Sequence, residues 1–91
     1  MIGSFRNKAL RDLFMRGKAA KISPELRQRC LSRLDSLDAA KSLKSLNLPG
    51  FRLHGLQGKP KRYSLWVNGP WRITFEWVDG NAERVDLEQY H

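Results

Sequence analysis

Between Trp71 and Trp77 every second residue is large and apolar: Trp71, Ile73, Phe75 and Trp77 alternate with Arg72, Thr74 and Glu76. Extended chains point successive side chains to opposite faces, so this segment reads as a strand with one face buried and one polar. Such a strand needs partners at its edges and a layer over its apolar face. The flanking sequence supplies the partners. Upstream, Tyr63, Leu65 and Val67 alternate with Ser64 and Trp66, and Asn68-Gly69-Pro70 marks a turn between the two strands. Downstream, Asp79-Gly80-Asn81 reads as a tight turn, and Val85 and Leu87 carry a last strand towards Gln89-Tyr90-His91. A shorter alternation opens after Gly50, with Phe51, Leu53 and Gly55 on one side and Arg52 and His54 on the other.

The first half of the chain supplies the layer, because its apolar period is helical. Leu10, Leu13 and Phe14 predict a helix over Asn7 to Arg16, stopped at Gly17. Ser23-Pro24 predicts a second start: the serine hydroxyl caps free amides, and proline occupies the first turn, where its missing N–H costs nothing. Leu26, Cys30, Leu34 and Leu37 then form one apolar stripe, with Arg27, Arg29 and Arg33 off it. The pattern weakens from Ser36 to Lys41, resumes through Leu43 and Leu46, and ends before Pro49-Gly50. Met1 to Phe5 is apolar enough for a short edge strand. The predicted architecture is α+β in two layers, with N-terminal helices packed on an antiparallel sheet of three to five strands. Its 91 residues predict a single domain spanning 1–91.

Charge narrows the partner class. Seventeen Lys and Arg against nine Asp and Glu give a net charge of +8, which draws polyanions and favours nucleic acid. The lone Cys30 cannot close an intramolecular disulfide, and with only His54 and His91 beside it no metal site is expected. No apolar run has the length of a signal peptide or a membrane span, so a reducing cytoplasm is the expected compartment and no membrane partner is expected. Gly-x-Ser-x-Gly and glycine-rich phosphate loops are absent from the sequence.

The remaining groups are imidazole, guanidinium and phenol at the ends of a basic sheet. That set fits cleavage of RNA by its own 2′-hydroxyl, which needs a base, an acid and cations over the pentavalent phosphate, and no metal. Arg72, on the polar face of the clearest strand, either forks onto phosphate or pairs with Glu76 or Glu83. His91 can exchange protons near neutral pH, since imidazole has an ordinary pKa of about 6.5. Tyr90 either packs or contacts RNA. His54 shares a face with Arg52 and points away from the core. Lys59, Lys61 and Arg62 bracket Pro60 in a loop that is either a solvated turn or, being beside the candidate site, a grip on an RNA backbone. Trp66 either covers a helix or stacks on a base.

These residues fall into a familiar order. Met1-Ile2-x-Ser4-Phe5, then Lys8, Leu10, Leu13, Phe14 and Gly17; Arg52-Leu53-His54-x-Leu56-x-Gly58; Ser64-x-x-Val67-Asn68-x-x-Trp71-Arg72-Ile73-x-Phe75; and terminal Tyr90-His91. Together they resemble HigB-type plasmid-maintenance killer proteins over nearly the whole chain. The resemblance implies a RelE/ParE-like fold and ribosome-dependent cleavage of messenger RNA. It also implies neutralisation by a HigA-like helix-turn-helix antitoxin encoded beside the toxin, with operator DNA reached only through that complex. By position it assigns Arg72 to phosphate charge, His54 and His91 to proton transfer, and Tyr90 to substrate orientation. Gln57 and Gln89 stand where the family carries lysine and aspartate, which implies a weaker nuclease. The competing reading is a non-catalytic ParE-like inhibitor of a topoisomerase or of the ribosome, which shares the fold and needs no such site. A free-standing DNA-binding module would need a recognition helix, and the sequence has no signature of one.

Overall fold

The structure, a computed structural model, describes residues 1–90. Helix α1 covers Lys8–Arg16 and α2 covers Pro24–Ala39, followed by a single 3₁₀ turn at Leu43–Leu46. Four strands follow: β1 (His54–Gly55), β2 (Tyr63–Asn68), β3 (Trp71–Val78) and β4 (Asn81–Gln89). They form one antiparallel sheet in sequence order, the architecture predicted from the two periods.

Each boundary has a local cause. The Asn7 side chain accepts from the Leu10 amide at 2.9 Å and starts α1. Gly17, at φ 68°, ends it: its amide donates to the Leu13 carbonyl at 3.2 Å and the Lys18 amide donates to the Asp12 carbonyl at 3.1 Å. Ser23 precedes α2 as expected, but its side chain makes no capping bond, so Pro24 alone fixes this start. The β3–β4 hairpin closes through Asp79 and Gly80, both at positive φ, which matches the right-handed twist of the strands it joins.

The apolar stripe of α2 is buried as read, with Cys30, Leu34 and Leu37 fully enclosed against Leu65, Val67, Ile73 and Phe75 of the sheet. These residues belong to one hydrophobic cluster. Burial pushes the Cys30 thiol up to about 11, so it is an inert neutral core group at physiological pH.

Besides the Ser23 cap, three expectations need correction. The segment Met1 to Phe5 is not a continuous strand: Ile2 and Phe5 make isolated parallel bridges to Ala82 and Val85 of β4. The alternation after Gly50 yields only the two-residue β1, because Arg52 sits at φ 49° and breaks the extended backbone. The polar side of β3 is not a solvated face, since Thr74 and Glu76 are buried.

Register explains the last point. Thr74 pairs with Asp86 and Glu76 with Glu83, so two steps of β3 face three of β4, and the extra residue forms a bulge around Arg84 at φ 49°. Arg84 Nη1 donates to Glu76 Oε1 at 2.9 Å, and Arg62 Nη1 donates to Glu76 Oε2 at 3.2 Å. Arg62 Nη2 also reaches Thr74 Oγ1 and the Arg84 carbonyl, each at 3.0 Å. A polar layer thus lies across the sheet, opposite the helices.

Arg33, off the apolar stripe of α2, is likewise buried, only 8% exposed. It donates to the carbonyls of Trp66 (2.9 Å) and Gly50 (3.2 Å) and lies 4.4 Å over the Phe51 ring. It ties α2 to the sheet and to the loop before β1.

Candidate active site

One cavity of about 650 Å³ opens on the sheet face away from the helices. Its walls are Arg52, His54, Gly55, Leu56, Gln57, Ser64, Arg72 and Tyr90. Of the expected catalytic groups, His54, Arg72 and Tyr90 therefore meet here, from β1, β3 and the residue after β4. His91 lies outside the described residues.

The sheet delivers these side chains by register. Arg72 pairs with Trp66 on one side and Glu88 on the other, so all three share a face. Tyr90 is two residues beyond Glu88 and keeps that face, anchored by its amide, which donates to the Pro70 carbonyl at 2.8 Å. His54 pairs with Ser64 across β1 and β2.

Arg72 decides the electrostatics. The alternative of a pair with Glu76 or Glu83 is not realised: Glu76 is held by Arg62 and Arg84, while Glu83 accepts from the Ser4 hydroxyl at 2.9 Å. Thr74 donates to Glu88 and engages that carboxylate as well. Among the described residues Arg72 has no ion pair or side-chain hydrogen bond, so its donor fork faces the cavity unneutralised.

Burial, and then the Glu88 carboxylate, push the Tyr90 phenol above its ordinary value; Arg62 and Arg72 pull the other way, and Asp86 adds a smaller upward push. The phenol therefore stays protonated at neutral pH and is a hydrogen-bond donor.

The basic residues divide into two groups. Arg52 is exposed and lies 4.4 Å over the Trp66 ring, which Arg29 also approaches at 5.3 Å. Trp66 therefore neither covers a helix alone nor stands free, because guanidiniums lie over its ring. Lys59 lines a second depression, which shares Leu56, Gln57 and Tyr90 with the cavity and includes Arg6. Lys61 borders Gly55, donates to the Leu56 carbonyl at 3.0 Å and lies near the Tyr63 ring. Arg62 lies at the edge of this depression, but its guanidinium is turned into the Glu76 layer. Among the described residues no three His, Cys, Asp or Glu side chains converge on a point, and no helix is long and apolar enough to cross a membrane.

Residues 3–91 match the family model described as RelE-like toxin of type II toxin-antitoxin system HigB. The chain belongs to this HigB-like toxin family. Across the full length of both chains it is 36% identical to a Proteus vulgaris protein named Endoribonuclease HigB. It is 34% identical to Toxin HigB-1 of Vibrio cholerae over 94% of each chain. Membership in a type II family implies an antitoxin partner. The two-layer fold is consistent with RelE-like toxins.

Two lining residues lie outside the expected set: Ser64 in the cavity wall and Arg6 in the second depression. In the sequence Ser64 is a polar alternate of β2 and a member of the family motif, with no role of its own, and nothing in the pattern singles out Arg6. The signal for Ser64 was its place opposite His54, which requires the register and not the pattern alone.

Proposed function

We propose that this HigB-like toxin is an endoribonuclease that cleaves messenger RNA on the ribosome, without a metal, by attack of a ribose 2′-hydroxyl on the adjacent phosphate. The observation that carries this reading is the unneutralised Arg72 guanidinium sharing a cavity with His54 and Tyr90. A cation without a carboxylate partner is suited to the charge that grows on a pentavalent phosphate. The nucleophile belongs to the substrate, so the protein supplies alignment, charge and proton transfer.

In this reading Arg72 forks onto the phosphate oxygens. Tyr90, held protonated, donates to the same phosphate or to a neighbouring ribose. His54 and His91 share the proton transfers, one removing the 2′ proton and the other protonating the leaving 5′ oxygen. Arg52, Lys59 and Lys61 hold the flanking backbone; Arg62 supports the cavity from beneath. The partners are then ribosome-bound message and a HigA-like helix-turn-helix antitoxin, with operator DNA reached through the antitoxin, all in the cytoplasm.

The test compares cut sites in one message, translated and untranslated, with wild-type protein and the His91→Gln variant. Cuts confined to translated message, lost in the variant while ribosome association survives, are the expected result. Growth inhibition that persists in His91→Gln with no cuts in either message would favour a non-catalytic inhibitor.

A further inference from the structure

Ser64 stands directly opposite His54 in the β1–β2 pairing and opposite Thr74 in the β2–β3 pairing. Directly opposed residues share a face, with Cβ atoms about 4.5–5.5 Å apart. Ser64 therefore forms the cavity floor between the imidazole and Thr74. The Thr74 hydroxyl is fully engaged, accepting from Arg62 and donating to Glu88. Ser64 differs. It is 1% exposed, and among the described residues its Oγ has no hydrogen-bond partner.

A buried hydroxyl without a partner lowers stability, and alanine in its place would remove that cost. Packing offers no reason for the serine, whose neighbours on β2, Leu65 and Val67, are buried and apolar on the other face. A reason appears if the hydroxyl serves His54. An imidazole that donates from one nitrogen is fixed in the tautomer whose other nitrogen is an acceptor.

We propose that Ser64 is a positioning residue for His54: its Oγ accepts an N–H from one ring nitrogen, which turns the other nitrogen towards the RNA. The inference rests on the nuclease reading above and names a further residue of the same site. Serine can accept from the ring in its neutral and its protonated form, so the contact persists as His54 gains or loses a proton. The other charged or ionisable groups facing the ring are Arg52, Arg72 and Tyr90 of the cavity wall, and Lys61 beside Gly55. None of the three cations can accept an N–H; the Tyr90 phenol and the Gln57 amide oxygen can, but Ser64 is the acceptor that stands directly opposite His54 in the strand pairing.

The experiment uses full-length wild type and Ser64→Ala, assayed on a defined message in translating ribosomes. The expected result is a fall in kcat of about tenfold, a modest share of the 10²–10⁴ that general acid–base catalysis supplies, with KM unchanged within twofold. The thermal midpoint stays level or rises, which separates a positioning role from a structural one. Nitrogen-15 NMR of His54, with a message analogue bearing a 2′-deoxyribose at the cut site, should show one tautomer in wild type and a mixture in Ser64→Ala. Ser64→Thr, which restores a hydroxyl, should recover part of kcat wherever its thermal midpoint shows it folded. Equal kcat for wild type and Ser64→Ala, with His54→Gln inactive, overturns this proposal alone. A wild type that leaves translated message intact overturns the nuclease reading, and this inference with it.

Discussion

Replacing Arg62 with methionine separates two roles that its position in a basic loop confounds. The side chain is only 13% exposed and its carboxylate partner Glu76 only 6%. Its guanidinium makes three bonds, to Glu76, Thr74 and the Arg84 carbonyl. Methionine keeps the aliphatic bulk and removes all three. Removing one partner of a buried pair costs about 3–5 kcal/mol, because the other charge is left desolvated. Glu76 retains Arg84, whose side chain is 62% exposed and therefore screened, so the lower end applies, about 3 kcal/mol. A chain of this size has a total stability of roughly 5–14 kcal/mol. With a urea slope near 1 kcal/mol/M, the unfolding midpoint should drop by about 3 M at constant slope. RNA binding gives the opposing readout. An arginine on phosphate contributes about 0.7 to the salt dependence of single-strand affinity, and that slope should not move. A midpoint within 0.5 M of wild type, together with a reduced salt slope, would refute the structural assignment and return Arg62 to the RNA surface.

Arg33→Met should cost about 3 kcal/mol, since it removes two charged hydrogen bonds to the carbonyls of Trp66 and Gly50 and uncovers Phe51, and Arg33→Lys should recover part of it in the same denaturation assay. Cys30 gives a pH prediction: its pKa rises from 9.0 in the unfolded chain to about 11 in the fold, so its contribution is fully present below pH 9 and is lost between pH 9 and 11. Between those pH values wild type should lose on the order of 2 kcal/mol more than Cys30→Ala, and parallel stability curves for the two proteins would contradict the burial argument. Gln57→Lys adds a cation to the cavity wall and should raise single-turnover cleavage several-fold; an unchanged rate would show that Arg72 and its neighbours already suffice.

The parts of the fold legible in sequence are those with local periods. Leu26, Cys30, Leu34 and Leu37 repeat at helical spacing, and Trp71 to Trp77 alternate, so neighbours along the chain reveal which side is buried. Arg33, Thr74 and Glu76 were not legible, because what buries them comes from 8 to 33 residues away through a register that the bulge at Arg84 resets. The site is legible as a set of residue types: His54, Arg72 and Tyr90 stand out in the sequence as imidazole, guanidinium and phenol, and strand register brings them to one cavity. Which cation is unpaired is not legible, since Arg62 and Arg72 look alike in sequence. Yet among the described residues Arg62 is bound to Glu76 while Arg72 makes no ion pair, although Glu88, engaged by Thr74, stands opposite it. The pairing of Ser64 with His54 is illegible for the same reason, being fixed by strand register.

The central claim is that Arg72, His54 and Tyr90 assist a 2′-hydroxyl in breaking the RNA chain. The most direct test is a translated message with a single 2′-deoxyribose at a mapped cut site. The account predicts that this site survives while unmodified sites yield 2′,3′-cyclic phosphate and 5′-hydroxyl ends, and that Arg72→Gln abolishes both products. Cleavage across the deoxyribose, or fragments with 5′-phosphate ends, would contradict it.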